Sequence, residues 1–208
     1  IGGAMFSKIC RVLTIELKLG YYLLLWLLRR KKPVEGEHTY HRKSAAMALT
    51  FAFIFVTPAA ILLLAFILAQ EWLTWTLSII AVYALYWTMG LYTSMEALPH
   101  KLSGEGFLIR YGALASVYLP YTNIESAELS FEGIGQSGDG LKFSSDEPTV
   151  FFSVGSTTRV KVKAKQPVTP ELWGKKTNPV DTIFINADRP DLLVEDLKSR
   201  LAEGPGLK

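Results

Sequence analysis

Four cationic side chains at alternate positions are the residues of this 208-residue chain whose types and spacing best suit a binding site. They are Arg159, Lys161, Lys163 and Lys165. Alternate residues of a β-strand share one face, so the cations would lie together while the intervening apolar residues point into a core. Such a face suits anionic lipid headgroups. The favoured interpretation, however, is that the lysines protect an edge strand against pairing with another chain.

Two smaller sets complete the candidate contacts. A second candidate headgroup contact is formed by Lys175 and Lys176, which lie beside Trp173. The alternative is that this pair is ordinary solvated surface. A small-residue face that lets another helix approach closely consists of Ala45, Ala48 and Ala52. Either the next apolar run of the chain or a partner subunit could use that face.

No combination of residues predicts an enzyme. His38 and His41, with Glu35 and Glu37, have metal-binding side chains, but a solvated loop beside the membrane is the favoured interpretation. The chain contains no Gly-x-Ser-x-Gly, His-Glu-x-x-His or Walker-type run. The Gly-rich stretch 133–140 has no evident strand before it or helix after it, so we interpret it as a loop. We expect no catalytic, cofactor-binding or metal-binding residues.

Two uncharged apolar runs, 44–69 and 72–95, are the elements that must position these residues. Each exceeds the ~20 residues that a helix needs to cross a bilayer. Neither contains Lys, Arg, Asp, Glu or His, and together they predict a transmembrane helical hairpin. Without an intramembrane carboxylate or His, the aromatic residues Tyr83, Tyr86 and Trp87 indicate helix packing rather than a quinone or haem site.

Charge asymmetry predicts the orientation of the hairpin. Six cations precede the first run: Arg29, Arg30, Lys31, Lys32, Arg42 and Lys43. The positive-inside rule places such a loop in the cytoplasm, so residues 96–208 should be cytoplasmic too. The net charge of +3 then reflects topology rather than nucleic-acid binding.

Residues 5–32 begin with a third apolar segment whose first half is interrupted by charges. On a helical wheel the apolar side chains between Phe6 and Leu17 form one stripe, with the charges mainly opposite. This pattern favours an amphipathic helix in the interface, or a re-entrant helix, because 23–28 is apolar on all sides. The alternative is a third span, which would place the N-terminus outside.

The C-terminal half alternates between apolar and polar residues, as β-strands do. The predicted strands are 107–111, 114–119, 124–131, 149–154, 158–164 and 182–185. Turns rich in Gly, Pro, Ser and Asp separate them, which is typical of an antiparallel barrel or sandwich. Asp188 is a candidate cap for a final helix, and Leu193, Leu197 and Leu201 would share its apolar face.

Two runs in this half resemble the opening of bacterial pleckstrin-homology-like (PH-like) domains. They are Gly-Glu-Gly-Phe-Leu-Ile-Arg-Tyr-Gly at 104–112 and Val-Tyr-Leu-Pro-Tyr-Thr-Asn-Ile-Glu-Ser-Ala at 117–127. The run Asp-Arg-Pro-Asp-Leu-Leu at 188–193 is similar to the helix that plugs the barrel in that family. The resemblance covers roughly 100–202. It implies an antiparallel β-barrel closed by a C-terminal α-helix, which serves binding or scaffolding and carries no catalytic residues.

These patterns, together with the resemblance, predict an α+β protein of a bacterial inner membrane with four parts. The parts are an N-terminal amphipathic or re-entrant helix at 5–32, a basic loop at 33–43, a transmembrane hairpin at 44–95 and a PH-like domain at 100–202. The expected function is that of a non-enzymatic scaffold, accessory or assembly protein. Its expected partners are membrane lipids and another membrane protein or a second copy, without nucleic acid. Two alternatives are an anionic-lipid-sensing accessory protein and a component of an intramembrane enzyme or transporter.

Overall fold

A computed structural model describes seven stretches of the chain: 2–28, 36–42, 45–67, 70–130, 140–145, 147–155 and 157–203. Long helices come first, β-strands follow, and a short helix closes the order. The helices are α1 (Gly2–Leu27), α2 (Ala45–Ile67), α3 (Glu71–Ala97) and α4 (Pro190–Glu203). The protein is therefore an α+β chain, as its sequence predicts.

Helices α2 and α3 contain the two apolar runs. Their 23 and 27 residues make them about 35 and 40 Å long, so both exceed the ~30 Å hydrocarbon core of a bilayer. Large apolar side chains point outward along both, and Phe55 and Phe66 are 75% and 90% exposed. In the apolar window of each helix, 11% and 6% of the residues are buried. Neither helix is therefore the core helix of the β-sheet domain.

Helix α3 lies between α1 and α2 and packs against both. The contacts with α1 follow the same order along the two helices, because Glu16 meets Tyr83 while Leu19 meets Gly90. A Cβ at Gly90 would lie 2.9 Å from the Cβ of Leu19, so the absent side chain permits this close approach. Helices α1 and α3 therefore run in the same direction, and the start of α1 lies toward the start of α3.

Eleven strands make up the rest of the described structure. They are β1 (Glu37–His38), β2 (His100–Leu102), β3 (Gly106–Tyr111), β4 (Ala115–Pro120), β5 (Ile124–Leu129), β6 (Gly140–Phe143), β7 (Thr149–Ser153), β8 (Val160–Val168), β9 (Glu171–Leu172), β10 (Lys175–Lys176) and β11 (Val180–Ile185). A 3-10 turn, Tyr121–Asn123, joins β4 to β5. The strands form two sheets, in the orders β1-β2-β3-β4-β9-β10 and β5-β8-β11-β7-β6.

The core lies between these sheets and α4. Period-two alternation buries Phe107 and Ile109 of β3, and Val160 and Val162 of β8. On α4, which packs against β5, the predicted apolar face is buried at Leu193 and Leu197. The final helix therefore packs into the core, as the spacing of its leucines predicts.

The β architecture differs from the expectation in two respects. In the described stretches the strands form two sheets rather than one closed barrel, and neither strand order returns to its first member. The second sheet also contains a parallel pair, β7 with β11, in register from Thr149 and Thr182 onward. The sequence misses the shortest strands, because two- or three-residue strands such as β1, β2, β9 and β10 carry no readable alternation.

Candidate functional site

The helices meet the sheets at a junction that a short segment before α2 helps to build. This segment, residues 36–42, is called the strap below. It enters the first sheet as β1, pairing Glu37 with Lys101 and His38 with His100. The Asp188 N–H, ahead of α4, donates to the Thr39 carbonyl at 2.8 Å. The sequence predicts a loop at 33–43, whereas residues 36–42 belong to the β domain.

Tyr40 is the centre of the junction. Its side chain is 1% exposed and its ring stacks on His100, with ring centroids 4.3 Å apart. Its hydroxyl donates to the Leu98 carbonyl at 3.3 Å and accepts from the Gly112 N–H at 2.7 Å. One side chain thus connects the strap, the residue after α3 and the turn between β3 and β4.

His100 has both ring nitrogens occupied. Nδ1 accepts from the Arg110 N–H at 3.1 Å, so Nε2 carries the proton and donates to the Asn186 carbonyl at 3.0 Å. Burial lowers the pKa of His100 to about 3. The ring is therefore neutral at physiological pH and serves as a fixed structural group rather than a proton carrier.

The turn between β3 and β4 packs directly on the end of α3. The Ala113 N–H donates to the Ser94 hydroxyl at 3.1 Å. Gly112 has a φ of +49°, and a Cβ there would overlap the Ser94 hydroxyl. A residue without a side chain is therefore required for this close approach.

The two histidines of the strap contact different elements of the fold. His38 Nε2 lies 3.0 Å from a carboxylate oxygen of Asp196 on α4, and His41 packs edge-on against Tyr92. Burial lowers the pKa of His38, and the Asp196 carboxylate opposes that shift. Among the residues that the structure describes, no group of three His, Cys, Asp or Glu side chains could hold a metal ion. Glu35 lies outside the described residues.

A polar chain crosses between α1 and α3. The Tyr83 hydroxyl donates to the Glu16 carboxylate, and the Trp87 indole N–H donates to the Tyr83 oxygen at 2.9 Å. The Tyr86 hydroxyl donates to the Glu16 backbone carbonyl at 2.7 Å. The sequence predicts no carboxylate beside the apolar runs, but α1 brings one to the middle of α3. That pairing joins residues 67 positions apart, so no local pattern could reveal it.

Trp87 also reaches the β domain. Its ring centroid lies 6.2 Å from that of Trp173, which sits in the tight turn between β9 and β10 with a φ of 55°. The Trp173 N–H donates to the Leu114 carbonyl at 2.8 Å. Lys175 and Lys176 follow on β10 and are exposed. This pair thus lies two and three residues after Trp173, whose ring contacts α3.

Three of the four alternating cations lie on β8, and Arg159 directly precedes it. The structure gives the three on β8 local partners. Lys163 forms an ion pair with Glu125 at 3.2 Å, and Lys161 lies 5.5 Å from the centroid of the Phe184 ring. Lys165 donates to the Thr122 carbonyl at 3.0 Å, next to the 3-10 turn and at the end of β4 away from α3. Because β8 lies between β5 and β11, edge protection is wrong as an explanation. Lipid binding by this face stays a prediction.

The remaining predicted residues are placed only in part. Ala48 and Ala52 are exposed on α2, so their side chains are accessible to a partner. The Arg42 N–H, at the end of the strap, lies 3.3 Å from an Asp188 carboxylate oxygen. The other topology determinants lie outside the described residues; they are Arg29, Arg30, Lys31, Lys32 and Lys43. The side chain of Ala45, the first alanine of the packing face, is not described either.

No known protein family, curated protein or solved structure matches this chain. The resemblance to PH-like domains thus stays a hypothesis. The class of the protein is set by its architecture alone: an α+β chain with two helices long and apolar enough, by length and composition, to cross a membrane. Any functional assignment has to come from the geometry of the junction.

Proposed function

We propose that this protein is a non-enzymatic membrane-anchored scaffold or accessory protein. In this proposal α2 and α3 span a bacterial inner membrane, and the β domain is its cytoplasmic binding module. The observation that carries the proposal is the outward apolar surface of α2 and α3, which continues into a tightly bonded junction with the β domain. An apolar surface of this extent in water would drive aggregation, whereas lipid tails would cover it.

The orientation follows from the strap. Because the strap pairs with β2, the strap and the β domain lie at the same end of the helices. The positive-inside rule assigns that end to the cytoplasm. Both topological signals, the charges and the position of the domain, therefore agree.

We propose that α1 lies in the membrane as a third span. The proposal is supported by the parallel direction of α1 and α3 and by the contacts of α1 with Tyr83, Tyr86 and Gly90. The Tyr83 hydrogen bond lowers the cost of placing the Glu16 side chain in this layer. This favours the alternative in which the N-terminus is outside.

The β domain suits binding better than catalysis. An antiparallel β2-β3-β4 meander, a second sheet and a final helix docked in the core support the PH-like hypothesis. The buried titratable side chains of the junction, Tyr40 and His100, use their polar atoms in structural hydrogen bonds. The exposed Ala48 and Ala52 on α2 suit a partner helix or a second copy.

Three measurements test the proposal. The chain should stay with washed membranes and be released by detergent, and a reporter active only outside the cytoplasm should be silent when fused after Lys208. Purification from native membranes in mild detergent should recover a stoichiometric protein partner or a second copy. Recovery in the soluble fraction would refute the membrane anchor, and reporter activity would refute the orientation. Recovery of lipid alone would favour lipid sensing over scaffolding.

A further inference from the structure

A pocket of about 240 Å³ opens where α1 meets the β domain. Its lining includes Lys18 and Tyr22 of α1, Arg110 of β3, Leu98 after α3 and Glu171 of β9. The backbone of the turn after β3 lies in the same wall. Separate segments of the chain therefore contribute polar groups to one concave surface at the junction.

The two cations of this pocket lack internal partners. Among the described residues, neither the Lys18 ammonium nor the Arg110 guanidinium forms an ion pair or a hydrogen bond. Only the Arg110 backbone N–H is engaged, by His100, which fixes the strand from which the guanidinium extends. A partly buried Arg side chain without an anion loses hydration with no compensating bond, so an anionic ligand would stabilise it.

The charge of the pocket selects among anions. With Glu171, two cations and one carboxylate leave a single net positive charge. A phosphodiester carries one negative charge, so its binding would leave the pocket neutral, whereas a phosphomonoester of ≈ −1.5 to −2 at neutral pH would leave an excess of negative charge there. The planar guanidinium fork also fits two phosphate oxygens at once.

The position of the pocket points to a lipid as the source of that phosphodiester. Leu98, in its wall, directly follows the end of α3. Lipid headgroups and interfacial Trp rings occupy the level where a spanning helix leaves the membrane. The pocket is thus at headgroup depth if α3 spans the bilayer.

We propose that this junction pocket binds the phosphodiester of a phospholipid headgroup, with Arg110 and Lys18 as the anion-binding residues. This inference rests on the proposed membrane insertion. Bound lipid would tie α1 to β3, because each of these elements supplies one of the two cations. The site differs from the cationic face of β8, whose Lys165 lies at the far end of β4.

The test uses the full chain in detergent with added phosphatidylglycerol, with bound lipid counted by native mass spectrometry. Arg110→Gln should lower apparent affinity about tenfold or more, since hydrogen bonds to charged groups are worth that much. Lys18→Gln, on a different element, should lower it in the same direction. Lys165→Gln is the matched control and should bind as the wild type does. Arg110→Lys, which keeps the charge, should recover part of the affinity if the variants are folded.

Further arms separate the sources and the failures. Glycerophosphoglycerol, the soluble headgroup, should compete only weakly; equal affinity for it would assign the site to a free phosphodiester and overturn the lipid source. Unchanged lipid binding in Arg110→Gln and Lys18→Gln, with the chain still recovered in membranes, would overturn the pocket and leave the proposed function standing. A chain that never enters membranes would overturn the proposed function itself. Binding of glycerophosphoglycerol by the wild type and by Arg110→Gln would then test the pocket separately.

Discussion

The junction and the outer face of β8 both carry concentrated polar groups, yet they use them differently. On β8 the cations are exposed or half-buried, and Lys163 and Lys165 bond to groups a few ångströms away on neighbouring segments. At the junction, Tyr40 and His100 are fully buried and bonded across four segments, while Arg110 is left with a guanidinium that pairs with no other described residue. Charge density in the sequence therefore does not mark the residues on which the packing between segments depends. The junction differs from β8 because each of its buried polar side chains connects several segments of the chain through hydrogen bonds.

Removal of the Tyr40 side chain should give the largest effect. Tyr40→Ala deletes a buried ring and leaves the Gly112 N–H without its acceptor, so we expect a loss of about 3–5 kcal/mol in unfolding free energy. Tyr40→Phe keeps the ring and should lose about 1 kcal/mol. Denaturant unfolding of the β domain in detergent, followed by circular dichroism, measures both. A loss below about 1 kcal/mol in Tyr40→Ala would mean that the strap does not hold the junction together.

The pH dependence of stability should expose His100 next. Its folded pKa of about 3 lies below the 6.5 of an unperturbed His, so the unfolded chain binds the proton more tightly. The contribution of His100 to the unfolding free energy should therefore be fully present above about pH 6.5. It should fall by up to ~1.4 kcal/mol per pH unit as the pH drops toward 3. At pH 4.5 this amounts to about 2–3 kcal/mol.

His100→Gln should lose this component, while the background from carboxylates stays. Comparison of the wild type with His100→Gln at pH 7.5 and pH 4.5 isolates it, and His38→Gln is the matched control because His38 is less deeply buried. An identical pH dependence in wild type and His100→Gln would show that His100 is not held neutral in the folded state.

The Gly112 turn should give an intermediate effect. Gly112→Ala combines a left-handed backbone with a clash against Ser94, so we expect a loss of about 1–3 kcal/mol. Gly174 has a φ of +67° and open space around it, so Gly174→Ala measures backbone strain alone. Gly104→Ala, with neither strain nor neighbours, should be neutral. Equal losses in Gly112→Ala and Gly174→Ala would indicate that the contact between turn and helix adds nothing.

Elements with regular periodicity were predictable from the sequence, and contacts between distant segments were not. The apolar runs, the alternation around Phe107 and Val162 and the leucine spacing of α4 specify helices and strands because burial repeats along each of them. The strap carries no such repeat. In the sequence Tyr40 and His41 resemble ordinary loop residues, because the segments that bury them, β2 and α3, are distant along the chain. Likewise the pocket cations Lys18 and Arg110 lie 92 positions apart and neither stands in a charged run.

The smallest effect should come from the face of β8, and it tests the comparison most directly. The face is changed by replacing Arg159, Lys161, Lys163 and Lys165 together with Gln. We expect the unfolding free energy to change by less than about 1 kcal/mol, because exposed ion pairs such as Lys163–Glu125 contribute little. Binding of anionic lipid by the full chain should persist, since the junction pocket is intact and Lys165 points away from the helices' end of the domain.

Native mass spectrometry with phosphatidylglycerol, run beside Arg110→Gln, gives the measurement. If the four-residue variant lost lipid while Arg110→Gln retained it, the alternating cations would be the headgroup site and the junction pocket would not. High salt sharpens the distinction. The Debye length shortens from ~10 Å at 0.1 M to ~3 Å at 1 M, so an exposed cationic face should lose binding steeply. A pocket that excludes part of the solvent around Arg110 should lose binding less, because ions screen a partly buried pair less effectively.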